Sequence, residues 1–101
     1  MAMFNSKQLD PLIHGRVRLG MMAYLASVST ASFGEIKTKL QTSDGNLSTH
    51  LRKLEQAGYV QVKKRFSNRK PLTTIELSKA GRSAWIGYLE QMQNLLQQTN
   101  S

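Results

Sequence analysis

SFGEIKTKLQTSDGNLSTHLRKLEQAG, residues 32–58, decides the fold, because it reads as two short helices joined through a tight turn. Ser32 is a good N-cap and Glu35 stands three residues on, so the pair predicts a capping box opening a helix that ends near Leu40. Gln41-Thr42-Ser43 is the turn. Ser43 caps the next helix, Asp44 puts a carboxylate at its positive end, and Gly58 stops it with a residue that accepts the left-handed conformation. The unit is a helix-turn-helix.

The second of these helices carries the chemistry. At about 100° per residue, Leu47, Leu51 and Leu54 share one stripe, and Gly45, Asn46, Thr49, Arg52, Lys53 and Gln56 fall opposite. That outward set suits DNA: Asn bonds adenine bidentately, Arg bonds guanine bidentately, Ser and Thr bond bases or phosphates, and Gly lets a phosphate backbone come close. Taken alone, the segment is equally an amphipathic helix with a solvated polar face. Its surroundings decide.

The chain has 101 residues, enough for one modest core and too few for two, so a single domain over 1–101 is expected. Its net charge of +8 calls for a polyanionic partner or serves solubility alone. Half of the 14 basic residues, Arg52, Lys53, Lys63, Lys64, Arg65, Arg69 and Lys70, fall between positions 52 and 70, where Glu55 is the only acid. Such clustering favours a binding surface. There is no cysteine, hence no disulfide and no thiolate metal site, which fits a reducing cytoplasm; no metal or cofactor is expected. No apolar run is long enough to cross a membrane and MAMFNSKQLD lacks a signal-peptide core, so the expectation is a soluble cytoplasmic protein with no membrane partner. Catalysis needs converging titratable groups, and the six carboxylates and two histidines are scattered. An enzyme is not expected.

Working outward, residues 1–9 read as a flexible arm in which Met3, Phe4 and Leu9 could dock on a neighbour. Asp10-Pro11 predicts a helix start, with Asp as cap and Pro at the first helical position, and the helix runs to about Ser27. Leu12, Ile13, Val17, Met21, Tyr24, Leu25 and Val28 repeat at helical spacing, while Leu19, Met22 and Ala26 widen the apolar surface beyond one stripe. His14 reads as a partly buried, hydrogen-bonding side chain and His50 as a packing or phosphate-contacting residue on the flank of the second helix of the pair. Ser29-Thr30-Ala31 reads as a linker. After Gly58 the period changes to two, with Val60, Val62 and Phe66 on one face and Gln61, Lys63 and Arg65 on the other. Residues 67–71 are a turn cluster and LTTIEL a second strand, which makes a hairpin with a basic tip. Ser78 caps a last helix over 79–97, whose Ala84, Trp85, Tyr88, Leu89, Met92, Leu95 and Leu96 repeat near the heptad period. The fold class is therefore mainly α with a small β hairpin.

This order of elements resembles the winged helix-turn-helix transcriptional regulators of the MarR and ArsR type, and within them the compact family of about 100 residues. The resemblance rests on GNLSTHLRKLEQAGYV at 45–60, KKRFSNRKPLTTIELS at 63–78 and LSKAGRSAW at 77–85, and covers nearly the whole chain. It implies a recognition helix over 44–57 for a major groove and a basic wing over 63–72. On that reading Ser43, Gly45, Asn46, Ser48, Thr49, Arg52, Lys53, Lys63, Arg65, Asn68, Arg69 and Lys70 meet double-stranded DNA. The long first and last helices would pair in a homodimer through Leu12, Leu19, Met22, Trp85, Tyr88, Leu89, Met92, Leu95 and Leu96. The chain lacks the thiolates of metal-sensing relatives and any added effector domain. A winged helix used for protein or RNA contact is the alternative, and a recognition face and hairpin that are both basic argue against it.

Overall fold

The computed structural model describes residues 9–99. In chain order it comprises α1 (Arg16–Val28), β1 (Thr30–Ser32), α2 (Phe33–Leu40), α3 (Asp44–Gln56), β2 (Val60–Ser67), β3 (Lys70–Leu77) and α4 (Lys79–Thr99). The strands form one antiparallel sheet in the order β1-β3-β2. β3 runs against all of β2, from Val60↔Leu77 to Ser67↔Lys70, and against β1 from Thr30↔Glu76 to Ser32↔Thr74.

Local signals set the helix-turn-helix. Ser32 Oγ accepts the Glu35 amide at 3.1 Å, but the Glu35 carboxylate accepts the Tyr24 hydroxyl rather than reaching back to residue 32. Half of the expected capping box is thus exchanged for a tie between α2 and α1. Gln41 turns the chain with a left-handed φ of 52°. Ser43 Oγ accepts the Asn46 amide at 3.1 Å, and Lys37 bridges to Asp44 at 2.9 Å across the turn. At the other end of α3, Gly58 (φ 81°) donates to Glu55 O and Tyr59 to Leu54 O, the paired bonds of a Schellman cap.

α1 is the centre of the molecule and packs against α2, α3, α4 and the sheet. Ile13, Met21, Met22 and Leu25 meet Ile36, Leu47, Leu54 and Ile75 in a core from which all eight are fully excluded from water. Most of the apolar surface on α1 is consumed inside the chain, Leu19 staying half-buried and Val28 exposed. Met22 and Tyr88 therefore cannot belong to a pairing surface: both are buried in this chain's own core.

Three expectations about the elements are corrected. The first helix begins at Arg16, because Asp10 closes a short turn instead of opening the helix. Asp10 Oδ1 accepts the Leu12 amide and Oδ2 the Tyr59 hydroxyl, Arg18 Nε–H donates to Leu12 O, and Gly15 is extended (φ −164°). These ties bend the chain so that Leu9 and Ile13 enter the core, and Leu9 is not part of an arm. Met3 and Phe4 lie outside the described residues. The supposed linker at 29–31 contributes β1, with Ala31 buried against the sheet. The small hairpin is accordingly part of a three-stranded sheet.

The start of α4 is bolted to the end of α3. Ser78 Oγ donates to Gly58 O and accepts the Gly81 amide at 2.9 Å, and the Ser78 amide donates to Tyr59 O at 3.0 Å. Gly81 passes so close that a Cβ there would lie 2.0 Å from the Tyr59 carbonyl oxygen. Only glycine fits.

Candidate nucleic-acid interface

With Leu47, Leu51 and Leu54 buried, the helical period turns Gly45, Asn46, Thr49, Arg52, Lys53 and Gln56 to solvent. The exposed face has two flanks. Ser48, Arg52 and Glu55 look toward the sheet and, with Phe33, Leu51, Val62, Lys64 and Thr73, line a cleft of about 340 Å³. Asn46, His50 and Lys53 occupy the other flank. Local bonds already hold part of this face: Asn46 Nδ2 donates to Thr42 Oγ1 at 2.8 Å, and Thr49 Oγ1 to Gly45 O at 2.9 Å. A Cβ at Gly45 would touch nothing within 4 Å, so packing inside the chain does not require this glycine.

His50 is half-buried on this flank. Arg18 Nη1–H donates to His50 Nδ1 at 2.9 Å, and because a guanidinium cannot accept, the imidazole must be neutral with its proton on Nε2. Partial burial, with the nearby charges of Arg18 and Lys53, holds its pKa below the ordinary imidazole value. His14 Nδ1 and the Tyr88 hydroxyl share a hydrogen bond at 2.8 Å, as expected, but the His14 residue is exposed instead of partly buried, because it lies in the turn before α1.

Beyond Val62 and Thr73 the hairpin outruns the helices and becomes an exposed wing. Its two-residue turn, Asn68-Arg69, has φ of 52° and 66°, the double left-handed geometry of a mirror-image hairpin turn. Lys63, Arg65, Asn68, Arg69 and Lys70 are all exposed. Strand alternation puts Lys63 and Arg65 on the sheet face away from α3, where Lys63 Nζ lies 3.7 Å from Glu76. The face toward α3 carries two residues that periodicity assigned inward or left out, Lys64 and Phe66. Both are exposed because no helix covers this end of the hairpin. The wing's length relative to the helices, a tertiary property, is the missing signal.

The polar face of α3, the cleft and the α3-facing side of the wing thus adjoin, and exposed Arg52, Lys53, Lys64, Arg69 and Lys70 lie on or beside them. Among the described residues there is no group of three His, Asp or Glu placed to hold a metal ion, and no helix long and apolar enough to cross a membrane.

Comparison with known proteins agrees with this geometry. An uncharacterised protein of Methanocaldococcus jannaschii is 35% identical over 79 residues, 78% of this chain and 86% of that protein. The structure of a transcriptional regulator homologue from Pyrococcus horikoshii OT3 superposes with a TM-score of 0.83 at 29% identity, over 89% of each chain. A MarR-family transcriptional regulator from Silicibacter pomeroyi shares the fold, with a TM-score of 0.68 at 17% identity over 92% of this chain and 62% of that one. The sequence model described as "Winged helix DNA-binding domain" matches residues 17–96, from the first turn of α1 almost to the end of α4. The chain belongs to the winged-helix DNA-binding domain family.

Proposed function

We propose that the protein is a sequence-specific transcriptional regulator that binds a pseudo-palindromic operator as a homodimer, with α3 in the major groove and the wing along the adjacent backbone. The observation that supports this reading is the placement of α3 polar-face residues (Ser48, Arg52) and the wing's Lys64 on two sides of one cleft. In this arrangement Asn46, Thr49, Arg52 and Lys53 read base edges. Ser43, Ser48, Lys63, Arg65, Asn68, Arg69 and Lys70, with the Gly45 backbone, hold phosphates, and Lys64 joins them from the wall of the cleft.

The pairing surface is narrower than the heptad pattern alone implies. With Tyr88 turned inward, Trp85, Leu89, Met92 and Leu96 remain as a seam spaced by four, three and four residues along α4. Leu89 and Leu96 are 46% and 56% exposed, and Trp85 and Met92 are half-buried beside them. Leu12, Leu19 and Leu95 are also half-buried and border the core. Joining two such seams about a two-fold axis brings the recognition helices to half-sites about 34 Å apart.

The test is selection of retained fragments from sheared genomic DNA, followed by affinity measurements on the recovered site and on random duplex. A bidentate arginine–guanine contact is worth about 1–3 kcal/mol of discrimination. Arg52→Ala is therefore expected to weaken binding to the recovered site by that amount and to random DNA far less. Equal losses on both would reassign Arg52 to phosphate.

A further inference from the structure

Phe66 is the most exposed large apolar side chain among the described residues, at 77%. A single exposed aromatic is ordinary on a protein surface, but this one has a specific setting. Its register partner is Pro71, on the same face of the hairpin. Ser67↔Lys70 closes the two-residue turn, so Phe66↔Pro71 is a non-hydrogen-bonded pair, the kind whose side chains stand closest. Proline is tolerated there because it has no amide to offer the ladder, and because β1 reaches along β3 only as far as Thr74. The result is a stiff, two-ring apolar ridge near the wing tip. Lys64 shares its face, Arg69 lies in the adjoining turn, Arg65 and Lys70 flank it on the opposite face of the strands, and the ridge lies on the side of the hairpin that faces α3.

An apolar ridge on a hairpin tip that carries four exposed cations fits a partner with an anionic rim and a stackable apolar interior. Because the ridge shares its side of the molecule with the recognition face, that partner is the duplex α3 reads, and we infer that Phe66, backed by Pro71, is a wedge entering the neighbouring minor groove. There it partly unstacks one base step and bends the site. This rests on the DNA-binding reading above. Unstacking costs least at pyrimidine–purine steps, so the wedge makes the protein prefer TA or CA/TG under the wing although no side chain there reads a base edge.

The experiment uses duplexes recovered from the genomic selection, labelled at both ends with a fluorescence donor and acceptor, and the intact protein. Wild type is expected to shorten the end-to-end distance. Phe66→Ala, at a position too exposed to matter for folding, is expected to keep the circular dichroism spectrum and the salt dependence of binding, to lose most of the bend, and to bind roughly tenfold more weakly, the scale of one stacking contact. Phe66→Leu keeps most of the bend, since leucine also serves as a wedge. Replacing the step under the wing by a stiff A-tract should weaken wild type and leave Phe66→Ala almost unchanged. An equal bend with wild type and Phe66→Ala, or equal sensitivity of both to the step, would overturn the wedge while leaving the DNA reading intact. Failure of wild type to bind any recovered duplex would remove both. Loss of binding to anionic lipid vesicles in Phe66→Ala, with DNA bending untouched, would assign the ridge to a lipid surface instead.

Discussion

Gly45 and Gly81 show how differently the same residue type is constrained. At 81 the space is occupied by the Tyr59 carbonyl, and at 45 there is nothing within 4 Å. Gly45 lies in the first turn of α3 without a left-handed φ, so its open face is the only feature a side chain would alter. Glycine in a helix costs about 0.5–1 kcal/mol relative to alanine. Gly45→Ala is therefore expected to raise stability by about that amount in urea denaturation and to weaken DNA binding, because the added methyl meets the phosphate strand. A variant that gains stability and keeps full affinity would show that the DNA backbone does not approach there. The polar face of α3 was legible from residues alone because caps, a Schellman glycine and a leucine stripe all fix its orientation. Lys64 and Phe66 were not, because alternation tells which face a residue shares and not how far the neighbouring helices extend.

At the scale of the element, the wing tip sets stereochemistry against charge. A mirror-image turn takes Asn-Gly most readily, and this one has Asn68-Arg69, with arginine at φ 66°. A non-glycine residue in the left-handed region costs roughly 1–2 kcal/mol. Arg69→Gly is expected to recover about 1 kcal/mol of stability and, if Arg69 holds a phosphate, to lower the slope of log K against log salt by about 0.9. An unchanged slope would mean that Arg69 is not in contact. Elements built from local signals, α2, α3 and the hairpin, were readable in the sequence. β1 was missed because three residues carry no period, and the start of α1 was misplaced because the Asp10 turn is fixed by Tyr59, a partner 49 positions away.

The whole molecule is long, 60 × 25 × 21 Å, and α4 with its 21 residues accounts for about 30 Å of helix. Leu89→Glu, placed on the proposed seam, is expected to convert a dimer to a folded monomer in sedimentation equilibrium at micromolar concentration. A dimer unaffected by it would move the interface elsewhere. Sequence periodicity put Tyr88 on the proposed seam because Tyr88 satisfies the heptad and the core equally well, and it is buried in the core. What the bolt at Ser78 and Gly81 adds is mechanical. Three hydrogen bonds through Ser78 and the Gly81–Tyr59 contact tie α4 to the end of α3, so the proposed pair joined through α4 would act as a calliper without a screw. On the proposed homodimer reading, an operator whose half-sites are moved apart by one base pair would have to be twisted and stretched to fit, with the strain falling on the DNA instead of being absorbed by the protein.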